Sequence, residues 1–215
     1  MKKKLLGFVK SFKFGPITGG FTMIELLIVI AILGILAVAV LAALNPIEQI
    51  NRGRDTGSRS DSEQILSAID RFNAFQGYYP WQTGATDVAN MPLAWTSMTT
   101  AADVADTAAT PCPISEKLSV AVVAGCIGTD ELKVTFFERI FNASYNTLKI
   151  YNRGTQGDST YVCFAPKSKA FVTEAAARVA GTLPADYPSE AYDPADGGSS
   201  TAADCGVDLN CICLP

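Results

Sequence analysis

Residues 26–44 form nineteen consecutive positions with neither a charge nor a polar side chain, counting Gly34 as neutral. A run of roughly 18 such residues is long enough to read as a membrane-spanning helix. A helix apolar on every face has two homes, the lipid bilayer or the inside of a bundle. One residue disturbs the pattern at its start. Glu25 stands one turn into a helix that reads from Phe21. An ionised acid in hydrocarbon costs about 2.5–3.5 kcal/mol even on the lenient scales, and such residues persist where they have a partner or a task.

The charges on either side give the segment a direction. Of 17 Lys and Arg, five (Lys2, Lys3, Lys4, Lys10 and Lys13) precede the apolar run, and residues 1–20 hold no acid. The other 12 cations face all 21 acids, which leaves residues 21–215 at a net charge of about −9. A cationic tail, one span and an acidic remainder follow the positive-inside rule, with the N-terminus cytoplasmic and the C-terminus outside. The six cysteines, Cys112, Cys126, Cys163, Cys205, Cys211 and Cys213, all follow the span. An even number in an outside domain reads as disulfides formed in an oxidising compartment. Free thiols and metal ligation are the competing readings, and the absence of His and of any CxxC pair weighs against metal. Six cysteines allow 15 pairings; the spacing favours a local Cys112–Cys126 loop and a bond from Cys163 into the 205–213 tail.

An ordinary secretory signal places its small-residue cleavage site after the apolar stretch. Here Gly19 and Gly20 come before it. A cut after Gly20 would remove the basic leader alone, keep the helix, and create a new amino terminus at Phe21. The run GGFTMIELLIVIAILGILAVAVLAAL resembles the class III signal of type IV pilins and of the pseudopilins of type II secretion systems. The resemblance is close over residues 1–45 and looser through the helical half that ends in QGYYPW. It implies that Gly20 precedes the cut made by prepilin peptidase, a membrane aspartic protease. It further implies that Phe21 is N-methylated by the same enzyme, and that Glu25 is the acid needed for assembly, paired with the Phe21 amine of another copy. Relatives often have a proline where Ala42 stands; here the first proline after the span is Pro46.

The expected fold is α+β: a long N-terminal helix spine, membrane-spanning in its first half, packed on a small antiparallel sheet head with disulfides. The expected divisions are a leader at 1–20, the apolar helix at 21–45, an amphipathic second half of the spine at 46–77, a connecting loop at 78–118 and the head at 119–215. Asn45–Pro46 marks a kink or restart. If unbroken, residues 21–76 would make a rod of ~84 Å. Ile65, Leu66, Ile69, Phe72 and Phe75 make an apolar stripe at helical spacing, with Arg52, Arg54, Asp55, Arg59, Asp61 and Glu63 facing elsewhere. Gly77 and Pro80 end the helix, and Tyr78, Tyr79 and Trp81 read as packing between helix and sheet. Strands are expected at 119–124, 132–137, 147–151 and 161–165, with a further candidate at 170–173. The acidic turn-rich stretch 184–210 is tied back by cysteines.

Enzyme classes find little support. Zero His removes the commonest general base and the Ser-His and Cys-His nucleophile arrangements. Asp193, Asp196, Asp204 and Asp208 could supply oxygens to Ca²⁺, but they match no EF-hand, and a solvated acidic loop is the reading favoured; no other cofactor is expected. An outer region at −9 repels nucleic-acid phosphates, although Lys167, Lys169 and Arg178 form a local basic patch. Asn142-Ala-Ser144 fits a glycosylation sequon. The function read from this chain is that of a structural subunit, processed at the inner membrane and polymerising into a pilus or a pseudopilus-like filament. Its expected partners are further copies of itself, other pilin-like subunits, prepilin peptidase and an inner-membrane assembly platform. The alternatives are a minor subunit that primes or caps a filament, and a single-span anchored extracellular binding protein that never polymerises.

Overall fold

The computed structural model describes residues 19–99, 112–142, 146–192, 205 and 210–215. The chain divides into two compact units, 1–45 and 46–215. In the first unit the described residues hold one helix, α1 (Met23–Ala43), and none of its residues is buried. It ends because Leu44 turns extended (ψ 137°), and the next helix, α2 (Pro46–Gln76), opens on the proline. Proline disfavours helical backbone in the residue before it and suits a first turn itself. The helical ladder is therefore interrupted at Leu44–Asn45, and the single 21–76 rod is replaced by two helices.

The second unit is an α+β head built on α2. That helix runs unbroken through Gly53 and Gly57 and closes at Gly77, whose φ of +77° suits glycine and whose N–H donates to the Asn73 carbonyl at 2.8 Å. Its buried face reads Asp55, Ser58, Ser62, Ile65, Ile69 and Phe72, a spacing of three and four, with Leu66 and Ala68 beside it. Two expectations fail on this face. Phe75 is 79% exposed, one turn past the point where the sheet covers the stripe. Asp55 and Asp61 lie on the buried side, which carboxylates occupy when fully partnered. Asp61 accepts from Arg139 at 2.6 Å. The Asp55 carboxylate accepts the backbone N–H groups of Lys167 (3.1 Å) and Ser168 (2.7 Å), and Asn146 Nδ2 at 3.3 Å.

Four antiparallel strands, β1 (Leu93–Ser97), β2 (Leu148–Asn152), β3 (Thr160–Phe164) and β4 (Ile212–Leu214), pair in the order β1-β2-β3-β4. Leu148 and Ile150 of β2, with Val162 and Phe164 of β3, join the α2 stripe and Trp81 in the main core. Because β3 is covered on both faces, Tyr161 and Cys163 fall into a second small core with Ala191 and the cysteines of the tail. Trp81 is stacked on Tyr79 at 4.6 Å, and Tyr78 meets Phe72 edge-on at 5.5 Å, so these rings do pack the helix end against the sheet.

Strand placement is only partly as expected. Residues 147–151 and 161–165 coincide with β2 and β3. Residues 132–137 instead enter a helix, α4 (Val134–Ile140), which buries Phe136, Phe137 and Ile140 at helical spacing. Residues 170–173 lie in α5 (Lys169–Val179), started by Ser168, whose Oγ accepts the Phe171 N–H. Residues 119–124 follow a short helix, α3 (Ile114–Leu118), as a loop. The 78–118 stretch is more than a connector, because it holds β1 and α3. In β-prone segments burial against neighbours outweighs intrinsic preference, and here the neighbours decide.

The turn after β2 is tight. Gly154 has φ +84°, and a Cβ there would sit 2.4 Å from the Pro92 nitrogen. Gly154→Ala is expected to cost at least about 2 kcal/mol, since left-handed backbone and a contact with rigid main chain add. A thermal midpoint equal to wild type would contradict this.

The same turn supplies a pH dependence. Asp158 accepts from Arg153 through both carboxylate oxygens at 2.8 Å and from the Thr155 N–H at 3.0 Å. The guanidinium lowers its pKa from 3.8 to about 2, against an opposing effect of burial. The Thr83 N–H, then Asn90, lower Asp87 likewise from 3.8 to about 2. A carboxylate with a depressed folded pKa stabilises fully above its unfolded value and loses that contribution as pH falls through the folded one. The turns 83–90 and 153–159 are thus expected to loosen between about pH 4 and pH 2. Amide exchange followed down that range measures it, and protection that is flat to pH 2 would contradict it.

Candidate processing and assembly site at the N-terminus

Helix α1 begins with a capping box. Thr22 is the cap residue, and its Oγ1 accepts the Glu25 N–H at 3.3 Å. The Glu25 carboxylate reaches back to accept the Thr22 N–H at 2.8 Å and the Thr22 hydroxyl at 2.6 Å. Two donors that a helix start would leave unsatisfied are so used, and a negative charge sits in the first turn, where the helix dipole favours it. Phe21 immediately before the cap is 80% exposed. Among the described residues, a Cβ added at Gly19 or Gly20 would meet nothing within 4 Å, so these leave the Gly19-Gly20-Phe21 segment open to approach. The three residues singled out from sequence, Gly20, Phe21 and Glu25, are contiguous with this start. Thr22, which the sequence expectations do not include, holds Glu25; the Thr-x-x-Glu spacing before an apolar run is the capping-box signature.

Downstream of this site α1 is, by length and composition, a helix able to cross a membrane. Its large side chains from Met23 to Leu41 are all exposed in a single chain. An apolar surface of this extent is stable in lipid or against other helices, and in water it would associate.

Residues 18–41 match the prokaryotic N-terminal methylation motif. The segment is a prepilin-type, class III signal. No curated protein matches the chain, and no solved structure does. The motif with the apolar helix fits a single-pass inner-membrane precursor, and the proteins that carry it are structural. The motif also implies processing by prepilin peptidase and assembly into pilus-like filaments.

The other candidate residues lie as follows. Cys112 is bonded to Cys126, Cys163 to Cys213 across the β3–β4 pair, and Cys205 to Cys211. The Cys163–Cys213 bond joins the three-residue β4 to the sheet, and Arg178 donates to the Cys213 carbonyl at 3.2 Å. Asp193, Asp196, Asp204 and Asp208 lie outside the described residues, as do Ala143 and Ser144 of the sequon. Among the described residues, no group of three His, Cys, Asp or Glu side chains could hold a metal ion. Arg178 of the basic patch is engaged with Glu174 at 2.9 Å.

Proposed function

We propose that this chain is made as a prepilin in the inner membrane, cut between Gly20 and Phe21, and polymerised into a type IV pilus or pseudopilus-like filament. The observation that carries the reading is the capped start of α1: an accessible Gly20-Phe21 bond, a carboxylate at Glu25, and 21 helical residues of which none is buried. Cleavage creates a cationic amine at Phe21, next to a helix start that repels it. N-methylation of that amine keeps its charge. In a filament the amine of one copy meets Glu25 of another, which neutralises two groups that are each costly in an apolar interior and fixes the axial register between copies. The remaining surface of α1 is then buried against neighbouring copies of α1. Prepilin peptidase and an inner-membrane assembly platform are the partners before polymerisation. Afterwards the head, 46–215, lies in an extracellular or periplasmic filament.

Blocking the cut tests the first step. Replacement of Gly20 by a bulky charged residue, Gly20→Lys, should leave only the longer precursor in the membrane fraction, with no shorter band on an immunoblot. A normally shortened Gly20→Lys product would contradict the assigned cleavage point. A wild-type chain that keeps Met1 in cells with a working prepilin peptidase would favour a plain membrane anchor.

A further inference from the structure

The cations of the head are used unevenly. Residues 46–215 hold 12 Lys and Arg against 20 Asp and Glu. Arg59, Arg71, Arg139, Arg153 and Arg178 each meet a carboxylate, and the buried Lys117 donates to the Gln82 carbonyl at 2.7 Å. Arg52, Arg54, Lys167 and Lys169 are exposed, and among the described residues their side chains make no ion pair and no hydrogen bond. These four belong to one end of the head. Asn51 Nδ2 donates to the Lys167 carbonyl at 3.4 Å, the Lys167 N–H donates to Asp55 at 3.1 Å, and Glu48 Oε1 accepts the Lys169 N–H at 2.9 Å. The first turns of α2 and the start of α5 are thereby one surface. Of its two acids Asp55 is buried, and both accept backbone N–H groups from 167–169.

Exposed apolar side chains stand beside these cations. Ile47 and Ile50 are 69% and 57% exposed, and with Arg54 they fall at positions i, i+3 and i+7, one strip of the α2 surface. Apolar side chains next to basic ones suit a bilayer interface, where the former enter the acyl boundary and the latter meet headgroup phosphates. An acidic protein or a nucleic acid would meet the cations and leave the isoleucines in water. The covalent link to α1 decides the occupant. Ala43, the last residue of α1, and Pro46, the first of α2, are separated by at most about 11 Å of chain. Arg52 and Arg54 follow about 9 and 12 Å along α2. The Cα of Arg54 therefore stays within about 23 Å of the end of α1 at any angle between the helices, and any tilt of α2 brings it nearer the lipid. The headgroup layer takes up about 5–8 Å of that distance. Charge acts across a further Debye length of about 10 Å at 0.1 M salt.

We propose that Arg52, Arg54, Lys167 and Lys169, with Ile47 and Ile50, form a collar that binds anionic phospholipid headgroups on the outer face of the bilayer that α1 crosses. This rests on the inner-membrane precursor reading given above. The collar seats the head on the membrane by a chosen end. The head as a whole has a net charge of −8, so its other surfaces are repelled by an anionic leaflet while this one is drawn to it.

The full-length chain in lipid nanodiscs tests the seating. A fluorescent amino acid replaces Thr173, exposed one turn into α5 from Lys169, and a trace of lipid carries a nitroxide quencher on its headgroup. Replacing one quarter of the phosphatidylcholine by phosphatidylglycerol should strengthen the quenching at least about twofold. The gain should vanish at about 0.5 M NaCl, where screening shortens the reach of charge. It should also vanish in a chain carrying Arg52→Gln, Arg54→Gln, Lys167→Gln and Lys169→Gln together. Those four side chains hold nothing in the head, so the variant should keep the wild-type thermal midpoint. The lysines of the leader are unchanged in it, so the comparison reads the collar alone. Quenching that ignores phosphatidylglycerol would overturn the proposal and leave the precursor reading standing. So would a quadruple variant that gains as much as wild type, which would assign the cations to a protein contact. A chain that does not enter the discs would overturn both.

Discussion

Glu25→Ala should give a chain that is cut normally and is missing from filaments, at a level at least about a hundredfold below wild type. Removing one member of a buried ion pair strands the other and costs about 3–5 kcal/mol, and each 1.4 kcal/mol is a factor of ten. The capping box offers a milder explanation for any loss, since Glu25 also holds the Thr22 N–H and hydroxyl. Loss of a helix cap costs only about 0.5–2 kcal/mol. Glu25→Gln separates the two, because glutamine can still close a capping box but carries no charge. If charge is the task, Gln fails as Ala does. Filaments of normal abundance from Glu25→Gln would assign Glu25 to the cap alone.

Asp55→Ala should destabilise the head by about 3 kcal/mol or more. Its carboxylate is fully buried and accepts two backbone N–H groups, from Lys167 and Ser168, besides the Asn146 amide. Alanine would leave those donors buried without a partner, at about 1–3 kcal/mol each. The affected backbone includes Ser168, the cap of α5, so the loss should be concentrated there. A denaturant titration of the full chain in detergent, disulfides intact, reads the total, and amide exchange at 167–171 reads the location. An unchanged midpoint would show that water replaces the carboxylate without cost.

How far the sequence disclosed these features depended on how local they are. The apolar helix over most of 26–44, the cap at Gly77 and the restart at Pro46 each follow from adjacent residues, and the structure has all three. Strands β2 and β3 alternate or run apolar between turn residues, which makes them visible. Strand β4 has three residues, too short for any period, and exists because β3 and Cys163 lie alongside it. The sequence places Asp55 off the apolar stripe, as charge usually is; only the fold brings the Lys167–Ser168 backbone, beginning 112 residues further on, to meet it. The stretch 119–124 reads as a strand but joins no ladder, and Glu116 takes the N–H groups of Val122 and Val123. At the N-terminus the order of Gly20, Phe21 and Glu25 was legible, whereas Thr22 gained its part only once the helix start was built.

The central claim is that this chain works as a polymer of cut subunits joined through α1. Filaments sheared from cells and analysed by mass spectrometry test it most directly. The account predicts that the chain is in the filament fraction and that its N-terminal peptide begins at an N-methylated Phe21. A chain found only in the membrane fraction, or one in filaments that still begins at Met1, would contradict it.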